Sequence, residues 1–152
     1  MTIVAYKAKS DLEVDDVEEE FRALILPGEY EAQCSGSKEF RQYGGLKKLA
    51  LTWNLSLSGM PEVRLPQFFN MDHRVFKEHS FYYEAWVIAN NCRRPQRRTR
   101  AHMSPKIFLG IIGKVIVVTV KPKFENGDLK PDVFHYSKVQ RLLSLSNSRG
   151  MK

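Results

Sequence analysis

The sharpest pattern in the chain lies at residues 47–57, KKLALTWNLSL, where Leu49, Leu51, Trp53, Leu55 and Leu57 alternate with Lys48, Ala50, Thr52, Asn54 and Ser56. Apolar residues at period two predict a long β-strand with one face in a core and the other open to solvent or a polar ligand. Upstream, Tyr30, Ala32, Cys34 and Gly36 alternate with Glu29, Glu31, Gln33 and Ser35 and predict a first strand. Its small inward residues and Gly36 allow it to bend sharply. Downstream, VRLPQFFN at 63–70 predicts a third strand. Pro66 cannot donate to a ladder, which places this strand at an edge or gives it a bulge. Phe68 and Phe69 must point to opposite faces, and the pattern alone does not say which is inward.

The period changes over residues 73–91. Phe81, Ala85, Ile88 and Ala89 recur at helical spacing, Tyr82 and Trp86 extend the stripe, Ser80 is placed to cap the start, and Asn90-Asn91 ends it. A helix so rich in large apolar groups is expected to plug the end of a barrel. Ser104-Pro105-Lys106 reads as a second helix start with proline in the first turn. Residues 114–123, KVIVVTVKPK, predict a continuous apolar strand buried on both faces for part of its length. Asn126-Gly127 predicts a hairpin, and 133–145 a returning fifth strand. The sum is a mainly β domain over 24–146, a five-stranded barrel in the order β-β-β-α-β-β. Before it lies an acidic segment, 1–23, with a short edge strand at 2–6, and after it a polar tail, 147–152.

Charge changes this picture. The first 20 residues hold two lysines against seven carboxylates, a net of −5, so with a total of +7 the remainder carries +12. A basic body of that strength attracts polyanions at long range. The acidic lead reads as a solvated linker, as a phosphate mimic folded over the basic surface, or as bait for a basic partner. Glycines and a lysine interrupt the apolar run at 107–120, so no segment reaches the roughly 20 apolar residues of a membrane span. With no signal-peptide pattern at the start, a cytoplasmic location is expected.

Catalytic chemistry finds little support. Cys34 and Cys92 lack a CxxC spacing and are expected to be unpaired structural thiols, and His73, His79, His102 and His135 form no HxH or HxxxH pair. Phosphate-loop, dinucleotide-turn and nucleophile-elbow motifs are absent. Helix-start and turn contexts explain acids that could form a catalytic pair, such as Asp72 with Glu78 and Glu125 with Asp128. No enzyme activity, metal or cofactor is expected.

The connection at 38–48, KEFRQYGGLKK, sets Phe40 and Tyr43 among Lys38, Arg41, Lys47 and Lys48 around Gly44-Gly45. A turn joining two strands does not need two aromatics beside four cations. The helix is followed by CRRPQRRTR, a basic loop holding Arg93, Arg94, Arg97, Arg98 and Arg100. Pro95 argues against helix there.

Three strands, a helix and two strands is the order of the five-stranded oligonucleotide/oligosaccharide-binding (OB) Greek-key barrel, and residues 28–145 resemble it. The segments PGEYEA, KKLALTWNLSL and FLGIIGKVIVVTV, with the glycine turn and the closing Asn-Gly hairpin, are also similar to small OB-fold proteins of phages and conjugative elements. Those proteins are thought to bind single-stranded DNA. Bacterial single-stranded DNA-binding proteins end in an acidic tail that recruits partners. Here Arg149-Gly150-Met151-Lys152 closes the chain, so recruitment by that route is not expected.

The resemblance implies a binding face on the second and third strands, flanked by the loop between the first two strands and the loop between the last two. The first loop brings Lys38, Phe40, Arg41, Tyr43, Lys47 and Lys48, and the last brings Lys121, Lys123, Phe124 and Lys130. The outward strand face adds Thr52, Asn54, Arg64 and Phe68. Cations for phosphates beside flat rings for bases are what single-stranded nucleic acid requires. The competing reading is solvated lysines with the aromatics folded inward. The arginine loop extends the track, meets duplex phosphates, binds an acidic protein, or stays solvated. The expected function is low-specificity binding of single-stranded nucleic acid, DNA before RNA, with replication or recombination proteins of a mobile element as partners. The alternative is an interaction module for an acidic protein. Edge strands at 2–6 and 63–70 offer pairing between subunits of a homodimer.

Overall fold

In the computed structural model, which describes residues 23–41, 45–57, 59, 61–72, 75–131 and 134–146, one strand serves two partners in succession. Strand β1 (Gly28–Arg41) pairs over Gly28 to Gln33 with β4 (Ile112–Val120), and from Gln33 to Arg41 with β2 (Lys47–Leu55). The register shifts between Cys34 and Gly36, so the bend expected at Gly36 is built as a bulge. β3 (Val63–Asn70) pairs with β2, and β5 (Tyr136–Leu145) with β4, giving an antiparallel sheet in the order β3-β2-β1-β4-β5. β3 and β5, the two ends of that order, lie against each other without a ladder, which makes the sheet barrel-like.

Alternation along β2 places Leu49, Leu51, Trp53 and Leu55 at 0% exposure in the core. Burial of a large apolar side chain contributes about 1.5–3 kcal/mol, so this one strand supplies much of the hydrophobic stabilisation. On β3, Phe69 is the inward member of its pair and Phe68 lies half-buried on the other face. Gln67 is also inward and buried. Trp53 Nε1 donates to its Oε1 at 2.9 Å, removing the cost of an unpaired polar group there. β3 is an edge of the ladder order, consistent with Pro66, which lies opposite Thr52.

The helix α1 (Phe81–Ala89) starts where Ser80 predicts: its Oγ accepts from the Tyr83 amide at 2.9 Å. Asn90 ends it, and Asn91 and Cys92 reverse the chain at φ 61° and 63°. The buried face is Tyr82, Tyr83, Ala85, Trp86 and Ala89, which takes in Tyr82, Ala85, Trp86 and Ala89 of the expected stripe, adds Tyr83, and leaves Ile88 half-buried and Phe81 outside it. Phe81 itself is 81% exposed. Tyr82 Oη donates to the Met103 carbonyl at 2.6 Å and Trp86 Nε1 to the Ser104 carbonyl at 3.1 Å, tying the far end of the arginine loop to the helix. The second helix start gives only a 3-10 turn, Pro105–Phe108, capped by Ser104. Before β1 the chain runs beside β5. The Ser137 amide donates to Ala23 O at 2.8 Å, and the Ile25 amide donates to Ser137 Oγ at 2.8 Å. The edge strand expected at 2–6, nearly all of the acidic lead, Tyr43 and the tail from 147 lie outside the described residues. Among the described residues no helix is long and apolar enough to cross a membrane.

Two measurements check this packing. A Cβ built on Gly113 would sit 2.5 Å from Ser144 O and 2.9 Å from Leu142 Cδ1, whereas one on Gly36 meets nothing within 4 Å. Chemical denaturation is expected to show Gly113→Ala destabilised by about 1–3 kcal/mol and Gly36→Ala near wild type apart from its turn preference. Burial pushes the Cys34 thiol up to about 11, against weaker opposing hydrogen bonds from the Gly36 and Thr52 backbone, whereas Cys92 is exposed. Titration with a thiol reagent should therefore count one reactive cysteine in the native protein and two after denaturation.

Candidate nucleic-acid interface

The segment read as a loop at 38–48 is mostly strand. β1 continues to Arg41 and β2 begins at Lys47, because the alternation carries on past the core and the two strands keep pairing. The Arg41 guanidinium donates to Gly45 O at 2.8 Å and ties the hairpin end. This corrects the site in a specific way, since strand residues must alternate between faces. Lys38 stands opposite Ala50 and Phe40 opposite Lys48, on the face away from the core; Glu39 stands opposite Leu49 and Arg41 opposite Lys47, on the core side. Lys38, Phe40 and Lys48 therefore share one surface, and Arg41 and Lys47 lie on its reverse.

β3 extends that surface. Phe68 is paired with Ala50 and Asn70 with Lys48, and the Phe68 ring meets Phe40 edge to face, with centroids 6.3 Å apart and planes at 79°. Ala50, opposite both Lys38 and Phe68, is buried, as is Pro66 opposite Thr52. Thr52 and Asn54 continue the row along β2, with Asn54 Oδ1 accepting from Ser35 Oγ at 3.2 Å, and Arg64 stands exposed opposite Asn54. Lys38, Lys48 and Arg64 have no carboxylate partner among the described residues. Two half-buried rings, the exposed cations Lys38 and Arg64, the half-buried Lys48 and two hydrogen-bonding side chains thus lie on one sheet face.

The arginine loop is elsewhere. Arg100 is held 3.2 Å from Glu39, which also takes Lys47 at 3.4 Å, and Glu39 belongs to the core side of β1. Arg94 and Arg98 share Glu78 at 3.4 and 3.0 Å, and the Arg98 guanidinium lies 5.9 Å from the Tyr83 ring centroid. Arg93 and Arg97 are exposed without a carboxylate partner among the described residues. Burial, then the Glu39 carboxylate, push the Tyr82 hydroxyl well above its ordinary range, with Arg100 opposing, so the phenol stays a neutral donor to Met103.

The second loop stands at the other end of β1. Gly28 pairs with Val117, and β4 runs on from there into the 121–135 hairpin, whereas the β1–β2 hairpin follows Arg41. Its Asn-Gly turn forms as expected, with Lys123 bridged to Leu129 and the Phe124 amide donating to Asp128 O at 2.8 Å. Lys130 Nζ sits 5.5 Å from the Phe124 ring centroid and 5.4 Å from that of Phe134. Phe124 remains 49% exposed, and Lys121 and Lys123 are open to solvent.

Sequence reasoning missed a groove of about 690 Å³ bordered by Lys48, Phe68, Phe81, Lys138 and Arg141. It forms where the end of β3 and the middle of β5 meet the start of α1, a juxtaposition of residues far apart in the chain. The one local signal was the pair of cations in β5, at 138 and 141, flanking buried Val139 and Leu142. Among the described residues no group of three or more His, Cys, Asp or Glu side chains is arranged to hold a metal ion. No protein-family model matches the chain, and no curated protein matches it in sequence.

The Arg100–Glu39 pair is exposed, at 54% and 35%, so it orders the loop more than it stabilises the protein. A double-mutant cycle with Arg100→Ala and Glu39→Ala, read by urea denaturation, should give a coupling of about 0.2–1 kcal/mol.

Proposed function

We propose that this barrel is of the OB type and that the outward face of β1, β2 and β3 binds single-stranded nucleic acid with little sequence specificity. The observation that carries the reading is the Phe40–Phe68 pair at 6.3 Å, half-exposed on the sheet face rather than in the core and flanked by Lys38, Lys48 and Arg64. Aromatic faces accept any base, and nearby cations neutralise the phosphates that connect successive bases. Thr52 and Asn54 offer hydrogen bonds to sugar or base edges. The strand order, the touching of β3 and β5, and a helix between β3 and β4 support the OB assignment. The resemblance to OB proteins of mobile elements favours DNA, with replication or recombination as the setting.

Arg93, Arg97 and the Lys121–Lys130 hairpin are peripheral in this reading. They add long-range attraction and do not define the stacking surface.

Fluorescence anisotropy with labelled single-stranded DNA, single-stranded RNA and duplex DNA across a salt series tests the proposal. Phe40→Ala and Phe68→Ala should each weaken single-strand binding by about five- to a hundredfold while leaving the thermal melt close to wild type. Lys38→Ala and Lys48→Ala should each reduce the slope of log K against log salt by about 0.7, and Arg94→Ala should leave it unchanged. Weak binding to all three nucleic acids, collapsing together with salt and indifferent to both phenylalanines, would reject the stacking face and favour an acidic protein partner. The DNA-to-RNA ratio reads the contribution of the 2′-hydroxyl.

A further inference from the structure

The groove at the β3–β5 seam shares Phe68 and Lys48 with the sheet face and adds Phe81, Lys138 and Arg141. Phe81 is the anomaly. It is the first residue of α1, it is 81% exposed, and its neighbours Tyr82 and Tyr83 carry the packing of that turn. The ring stands outside the hydrophobic core and borders a concave site of about 690 Å³. Lys138 has no carboxylate partner among the described residues, and Arg141 is only loosely paired with Glu84 at 3.8 Å. Three cations face one carboxylate, Asp72, around the groove.

Building on the proposed sheet-face function, we infer that this groove is a second nucleotide subsite, in which a strand leaving Phe68 turns over the barrel seam and places a further base against Phe81. Continuity selects the occupant. Phe68 and Lys48 belong to both surfaces, so the bound polymer reaches the groove without crossing unfavourable ground, and Lys138 and Arg141 stand ready for the phosphates that follow. The bound strand on this view wraps the edge of the barrel and is longer than the sheet alone accommodates.

Length dependence tests this directly. Wild type, Phe81→Ala and Lys138→Ala are titrated with oligothymidylates of about 4 to about 16 nucleotides, the span of site sizes for one OB domain. Wild-type affinity should go on rising past the length that fills the sheet face. Both variants should bind the shortest oligomer as wild type does and lose the later gain, about five- to a hundredfold for the ring. In a Phe81→Trp variant, indole fluorescence should be quenched by the long oligomer and not by the short one. If wild type binds single strands and Phe81→Ala matches it at every length, or loses equally at every length, the groove is not a subsite while the sheet face stands. If wild type binds none of the oligomers, the sheet-face reading falls and this one with it.

Discussion

The bulge between Cys34 and Gly36 is the constraint on which the rest of the structure depends. It divides a 14-residue strand into a part that pairs with β4 and a part that pairs with β2, and so turns what would be a flat sheet into a closing one. It also resets the alternation. Ala32 and Cys34 point inward before the bulge; beyond it Lys38 and Phe40 are on the outer face and Glu39 is on the inner. One residue more or fewer at that point would send Phe40 to the reverse of the sheet, toward the arginine loop, and take it away from Phe68.

Polar contacts buried in an otherwise apolar interior fix the remaining geometry. Trp53 with Gln67 locks β2 to β3, Tyr82 with Met103 and Trp86 with Ser104 lock the helix to the chain that returns toward β4, and each supplies the partner its neighbour would otherwise lack. The arginine loop is thereby anchored at its far end, and Glu39 and Glu78 hold three of its side chains along the way. The chain's positive charge is divided accordingly. Part is engaged with carboxylates behind the hairpin, and part stands open on the sheet and seam.

Period-two and period-3.6 patterns carried most of the fold. The third strand matches its expected bounds, β2 stops at Leu55 two residues short of the apolar pattern, and Gly36 and Ser80 do what their chemistry predicts. Most of the helix stripe is legible in the sequence, but FYY at its start has aromatics in every direction, and only the core decides that Tyr82 and Tyr83, and not Phe81, are inward. The hairpin at 38–48 reads as a loop in the sequence because charged and glycine residues mask strand continuity once the core is left behind. Of the site, the outward position of Phe40 beside Phe68 required a register, and the partners of Arg98 and Arg100 lie 20 and 61 residues away. Local pattern holds no information about contacts at that separation. The groove is further still from legibility, since it is lined by β2, β3, the chain at 72–80, α1 and β5 together.

The short run of chain at Ala23 and Ile25 has a consequence for how this protein survives at high concentration. Unsatisfied strand edges are templates on which other molecules can add strands and grow aggregates. β5 is shielded at Ser137 by that run, whose backbone takes the place a foreign strand would occupy, and β3 is interrupted by Pro66. The residues just before the barrel therefore act as a stopper on one of its open seams, and trimming the chain to Gly28 would leave a folded core with an adhesive edge.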